Sequence, residues 1–304
     1  MTPIILITGL QGSGRLDFIK ELLPPLNKAD WSPVVVLNDL ENAQTKADSL
    51  DEELTKVLPI GGTCISREGL ESFMGLINSI PKSPNTIIIV HADESAESTE
   101  LLDPLTIDAK SNGILPPVQV ALVDAMRWQR RQEANQLEGM QVITAPYLVV
   151  NRLNELKQAR RTKVEHAVTS INPFAQLTTA EALVDAIANL RGISDPDSIL
   201  ESETWHFSSL SFPLVVPLDR ESLEAMLQNL PREIIRAKGI AVFEEAPDRA
   251  FLFQKIDGVK EIDYLPLDEG ATVSPLVSFI GPSMPVSQMK ETAENLGITS
   301  PQTS

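Results

Sequence analysis

"PIILITGLQGSGRLDF", residues 3–18, sets an aliphatic run against Gly9, Gly12 and Gly14 and then the start of an amphipathic stretch. Glycines between a buried strand and a helix let the backbone turn tightly and aim successive N–H groups at one point, where the helix N-terminus adds positive potential. An anion is the natural occupant. Gly9, four residues and Gly14 reproduce the glycine spacing of the phosphate loop G-x-x-x-x-G-K-S/T, at the end of the first strand as that motif requires. The next two positions depart from it. Lysine in that motif reaches the β and γ phosphates as a compact charge, whereas Arg15 is a larger planar fork. Leu16 has no hydroxyl to ligate Mg²⁺. The predicted phosphate-binding set is Gly9, Gly12, Ser13, Gly14 and Arg15, with weak metal binding and slow hydrolysis; a glycine-rich turn without a ligand stays open as the plainer reading.

Outward from this loop, "SPVVVLN", "NTIIIVH", "VQVALVD" and "PYLVVN" repeat the short aliphatic run, as strands buried on both faces of a parallel sheet do. With helices between them they predict an α/β, mostly parallel, doubly wound sheet. Two helices carry capping pairs: Ser49 with Glu52 before Leu50, Leu54, Val57 and Leu58, and Thr178 with Glu181 before Leu183, Ile187 and Leu190. After a polar, acidic stretch the pattern becomes β-α-β-β-β-α: a strand in "WHFSSLSFPLVV", a helix from Asp219, strands near 240–244, 250–256 and 276–280, and a helix from about Ser287. That order predicts a small α+β domain. The expected organisation is a nucleotide-binding domain over 1–191, a linker over 192–203, the α+β domain over 204–298 and a tail over 299–304.

The 304 residues are 42% hydrophobic and 5% aromatic, which fits an aliphatic core. Acidic residues outnumber basic ones 42 to 25, and the net charge of -17 argues against nucleic acid and anionic membranes as partners. Cys64, the single cysteine, forms no internal disulfide; "IILITGL" is too short to span a bilayer, and the start has no basic leader or cleavage site. A cytoplasmic protein is expected.

Several segments in order resemble the CobW branch of the CobW/HypB/UreG family, P-loop GTPases associated with metal insertion and metal homeostasis. They are the glycine loop, "VVVLND", "LPIGGTCIS", "VALVDA", "APYLVVNRLNEL" and "SINPFAQL". "WHFSSLSF", "LPREIIRAKGIAVF" and "SPLVSFIG" resemble the C-terminal CobW domain, whose Arg-x-Lys-Gly string appears as Arg236 to Gly239. The resemblance implies a P-loop NTPase-like fold, GTP or another nucleotide as ligand, and a role near metal-cofactor assembly or supply, with a protein client as partner.

The resemblance also turns departures into information. The family's base-reading Asn-Lys-x-Asp is here Asn151, Arg152, Leu153, Asn154. Asn154 offers one acceptor and one donor where the aspartate offers two acceptors, which weakens guanine selection. Asn151 and Asn154 are the expected base-binding pair. After the "IIIVH" strand, His91, Asp93 and Glu94 stand where the family has a γ-phosphate-sensing Glu and Gly. Of the family's Gly-Cys-x-Cys-Cys segment only Cys64 remains as a weak metal candidate, so zinc is not expected and Mg²⁺ is left open. His91, His166 and His206 are scattered, and Asp39, Glu41, Asp93 and Glu94 read as solvated acids. "RWQRRQ" (Arg127, Arg130, Arg131) and "KQARRTK" read as solvated helical faces. These features predict a pseudo-GTPase that keeps fold and anion binding. Two alternatives stand beside it. One is a non-enzymatic protein-interaction module. The other is a short-chain dehydrogenase-like NAD(P) binder, from the T-G-x-x-G-x-G string at Thr8 and Asp39 as ribose acid; the required Tyr-x-x-x-Lys is missing, since Asn151 follows Tyr147 and Asp268 follows Tyr264 at that spacing.

Overall fold

The computed structural model describes residues 1–194, 209–268, 274–281 and 286–296. The first five aliphatic runs are strands: β1 (Ile4–Thr8), β2 (Ser32–Asn38), β4 (Thr86–His91), β5 (Val118–Asp124) and β6 (Tyr147–Asn151). Two strands were not foreseen, β3 (Lys56–Ile60) and β7 (Gln176–Leu177). Together they form a seven-stranded sheet, order β3-β2-β4-β1-β5-β6-β7, parallel throughout. Side chains alternate across a strand, so β1 serves both faces. Ile5 and Ile7 pack with α1 (Arg15–Lys28) and α7 (Ala180–Ile187); Ile4 and Leu6 pack with α3 (Leu70–Ser79) and α4 (Ser98–Ile107). α5 (Ala134–Ile143) and α6 (Gln158–Ile171) cover β5 and β6 through Val142, Val164 and Val168, while α2 (Ala43–Ala47) lies beside the β3 edge.

The helix expected after Ser49 is corrected. Val57 and Leu58 lie on β3, paired with Val35 and Val36 of β2. The spacing of Leu50, Leu54, Val57 and Leu58 fits a helix locally, but edge pairing satisfies the backbone of residues 56–60 and wins. The second cap is displaced by one residue: Thr179 accepts from the Ala182 N–H at 3.3 Å and caps α7.

The C-terminal part is a five-stranded antiparallel sheet, order β11-β10-β9-β12-β8, from β8 (Ser209–Pro213), β9 (Arg236–Phe243), β10 (Ala246–Ile256), β11 (Asp263–Pro266) and β12 (Leu276–Ile280). β11 is an addition to the expected order. α8 (Arg220–Gln228) is capped by Asp219, and α9 (Val286–Asn295) places Met289 and Ala293 in the core. The small sheet packs on α4 of the parallel domain. Arg236 pairs with Glu100 at 3.0 Å and faces buried Asp103 at 3.5 Å, with Lys238 at 3.2 Å from the same oxygen. The Arg-x-Lys pair of β9 thus joins the small sheet to α4. Residues 195–203 of the expected linker, the beginning of "WHFSSLSFPLVV" with His206, and the tail lie outside the described residues.

Candidate functional site

The connection from β1 to α1 emerges at the carboxyl edge of the sheet, between the branch that runs to β2, β3 and β4 and the branch that runs to β5, β6 and β7. Open α/β sheets bind ligands at this kind of crevice. Two glycines are sterically required. A Cβ on Gly9 would stand 2.7 Å from the Leu122 carbonyl, and one on Gly14, at φ +91°, would stand 2.6 Å from Asn151 Nδ2. Among the described residues, the N–H groups of Gly12, Gly14, Arg15 and Leu16 donate to no backbone carbonyl, and the buried Ser13 hydroxyl has no hydrogen-bond partner. These are the donors an anion would take.

Asn151, at the end of β6, donates from Nδ2 to the Ser13 carbonyl at 2.7 Å and so holds the loop from the side. Asn154 does not join it: the residue is exposed and its Oδ1 accepts from Arg161 at 3.4 Å. Beside Asn151, across the β5–β6 pairing, lies a cluster whose arginines read in the sequence as a solvated helical face. Arg127 and Arg131 sit on the connection between β5 and α5, not on a helix, and with Arg152 they surround fully buried Asp124 at the end of β5. Arg152 pairs directly with the Asp124 carboxylate, Arg131 lies 3.6 Å away and Arg127 3.8 Å. Arg131 also donates to the Gln11 carbonyl at 2.7 Å. The expectation for "KQARRTK" fits better: α6 carries it, and Arg161 pairs with Glu165 one turn on at 2.9 Å.

On the other flank Arg15 is buried and its Nη1 donates to the Ala92 carbonyl, while Nη2 lies 3.7 Å from Glu94. Burial pulls the guanidinium below its ordinary range, and Glu94, Asp93 and Asp39 pull it back. To reach a phosphate, Arg15 would have to release the β4–α4 connection. His91, buried at the end of β4, keeps Nδ1 3.1 Å from the Asn38 carbonyl; desolvation first, then the Arg15 charge, push its pKa down to about 3. The ring is neutral at neutral pH.

Two of the acids near the loop, Asp39 and Asp93, are occupied. Desolvation pushes the pKa of buried Asp39 up, but the N–H groups of Glu41 and Asn42 that it accepts and its pairing with Lys46 outweigh this and hold it below the usual range. Asp93 accepts from Leu40 N–H at 3.2 Å and from the Ser95 N–H and hydroxyl. Leu16, at the position of the metal-ligating hydroxyl, packs on the core, and Asp17 is exposed. Cys64 is buried with its Sγ 3.2 Å from the Ser66 hydroxyl, in a loop held by Asn38, which donates to the Ile60 and Thr63 carbonyls. Among the described residues no group of three or more His, Cys, Asp or Glu could hold a metal ion, and no helix is long and apolar enough to cross a membrane. Leu16 offers a magnesium ion no hydroxyl, and Cys64 offers a zinc ion a single thiol. A groove of about 730 Å³ along the β3 edge, lined by Asn27, Glu52, Thr55 and Lys56, contains no residue of the glycine loop.

Residues 3–179 match the family model for the CobW/HypB/UreG nucleotide-binding domain, and residues 207–296 match that for the cobalamin synthesis protein CobW C-terminal domain. No curated protein matches the chain. Among solved structures, the Zn(II)-bound YjiA GTPase from E. coli is similar at 14% identity and TM-score 0.45, over 97% of this chain and 99% of that one. HypB from Helicobacter pylori in complex with nickel is similar at 16% identity and TM-score 0.41, over 62% of this chain and 85% of that one. HypB from Archaeoglobus fulgidus is similar at 12% identity and TM-score 0.40, over 62% and 90%.

Proposed function

We propose, because the chain belongs to the CobW/HypB/UreG family, that it binds a nucleotide at the loop after β1 and hydrolyses it slowly or not at all. The observation that carries this reading is the set of unpartnered loop N–H groups, held in place by the Asn151 amide on the Ser13 carbonyl. Gly9, Gly12, Ser13 and Gly14 cradle the phosphates, with Arg15 behind them as a fixed charge. Asn151 positions the loop, and Asn154, which offers a donor where an aspartate has only acceptors, relaxes the choice of base.

Slow turnover follows from the donor set. A phosphoryl transfer of this kind needs a metal to neutralise the developing phosphate charge and a group that orients water. Leu16 supplies no ligand, Asp39 and Asp93 are engaged in their own loops, and His91 faces Asn38. A protein of this kind acts through what it binds, so a protein client in metal-cofactor supply is the proposed partner. Metal transfer through thiolates is not part of the proposal, since Cys64 stands alone in the core.

Thermal unfolding with and without GTP, GDP or ATP tests the reading, because a ligand that binds only the folded state raises apparent stability. The expected result is a nucleotide-dependent rise that Gly14→Asp removes. A full GTPase rate with ordinary Mg²⁺ dependence would overturn the assignment of a degraded site. No stabilisation by any nucleotide, together with intact partner binding by Gly14→Asp, would favour an interaction module instead.

A further inference from the structure

Resting on the nucleotide reading above, we propose that the loop takes its nucleotide free of magnesium, with Arg127, Arg131 and Arg152 supplying the positive charge that a metal ion would otherwise bring to the phosphates. Two independent sets of observations meet here. The first is the misfit of the metal donors described above. The second is the placement of three arginines beside the loop, on the connections that leave β5 and β6.

β5 is the direct neighbour of β1, and β6 of β5, so the connections leaving both strands pass beside the glycine loop. Arg131 is tied to the loop by its bond to the Gln11 carbonyl, and Arg152 Nη2 lies 3.4 Å from the Gly12 carbonyl. A Cβ on Gly12 would meet Arg127 Nη1 at 3.7 Å. Asp124 gathers the three guanidinium groups, and its Oδ1 is itself fixed by the Met126 N–H at 3.0 Å. The backbone is bent to achieve this: Gln129, Gln132 and Arg152 all have positive φ, at 54°, 52° and 60°. Non-glycine residues hold that conformation only where the surroundings impose it.

The local geometry favours an anion. Three arginines face Asp124 and Glu138, the latter 3.9 Å from Arg131, and Glu94 also acts on Arg131. Arg127, the most loosely held of the three, stands beside the unpartnered N–H groups and the start of α1, in a chain whose net charge is -17. Arg127 is the most available of the three, with 58% of its side chain exposed and only a loose contact to Asp124. It serves as the movable cation, while Arg131 and Arg152 are fixed. A nucleoside diphosphate or triphosphate, carrying no metal, matches this field; the planar fork of arginine accepts phosphate oxygens in pairs.

The test is a titration of the full chain with fluorescent GDP and GTP analogues in EDTA and again in excess Mg²⁺. The expected result is saturable binding in EDTA with a Kd within about twofold of that in Mg²⁺. Arg127→Glu should weaken binding by about tenfold or more, and by more at low salt than at high salt. Arg127→Gln, which removes the charge without reversing it, should give a smaller loss, and unliganded melting curves show whether either variant folds. Binding that requires Mg²⁺ would overturn the metal-free assignment and leave the nucleotide reading standing. Metal-free binding that Arg127→Glu leaves unchanged would overturn the role of the arginines. No saturable binding in either condition would overturn the nucleotide reading itself, and this proposal with it.

Discussion

Acid should unfold the parallel domain partly through one imidazole. His91 is 2% exposed, and desolvation, reinforced by the Arg15 charge and only partly offset by the bond to the Asn38 carbonyl, pushes its pKa from 6.5 down to about 3. The folded pKa is lowered, so the unfolded chain binds the proton first and the folded state loses ground as pH falls. The stability in question is complete above pH 6.5 and drains away between there and pH 3. At pH 5 an unfolded histidine is almost fully protonated and the folded one is neutral, which amounts to about 2 kcal/mol. Urea unfolding followed by tryptophan fluorescence at pH 7.5 and pH 5 measures it, for the natural chain and for His91→Asn, whose amide keeps a donor toward Asn38. Carboxylates titrate equally in both proteins and cancel. The pH 5 penalty should be smaller in the variant by about 2 kcal/mol. Equal losses in the two would refute the reasoning, because they would mean that His91 is protonated in the folded state already at pH 5.

Three further outcomes follow from the packing. Gly14→Ala should cost about 1–2 kcal/mol in thermal or denaturant unfolding, since a side chain at φ +91° is strained and its Cβ meets the Asn151 amide; nucleotide-dependent stabilisation should fall with it. Arg236→Ala should destabilise the chain by about 3 kcal/mol in the same assay, because it leaves buried Asp103 with Lys238 alone. A melting curve unchanged by that substitution would show that the bridge from β9 to α4 does not hold them together. Thr179→Ala should cost about 1 kcal/mol through loss of the α7 cap, whereas Thr178→Ala should leave stability unchanged.

What the sequence determined by itself is the part written in local pattern. Aliphatic runs of five to seven residues, with helical spacing between them, point to a parallel sheet, because helical crossovers cover both faces of its strands. The glycine spacing placed a tight turn after β1, and the ordered set of weak motifs pointed to the family that residues 3–179 match. Local pattern failed where pairing between distant segments competes with it. Residues 50–58 have the apolar spacing of a helix, yet 56–60 form β3 because β2 offers an open edge. β7 and β11 are too short to announce themselves.

The site was legible only as a loop. Asn151 was identified from its motif, but its bond to the Ser13 carbonyl spans 138 positions. Arg127 and Arg131 looked like a solvated helical face because charge runs usually are. Their partner Asp124 is fully buried at the end of a strand, and Arg152 arrives from the next one. The adjacency of β1, β5 and β6 in the sheet brings these groups to the glycine loop, and such adjacency is a property of the tertiary hydrogen-bond ladder that no window along the chain contains.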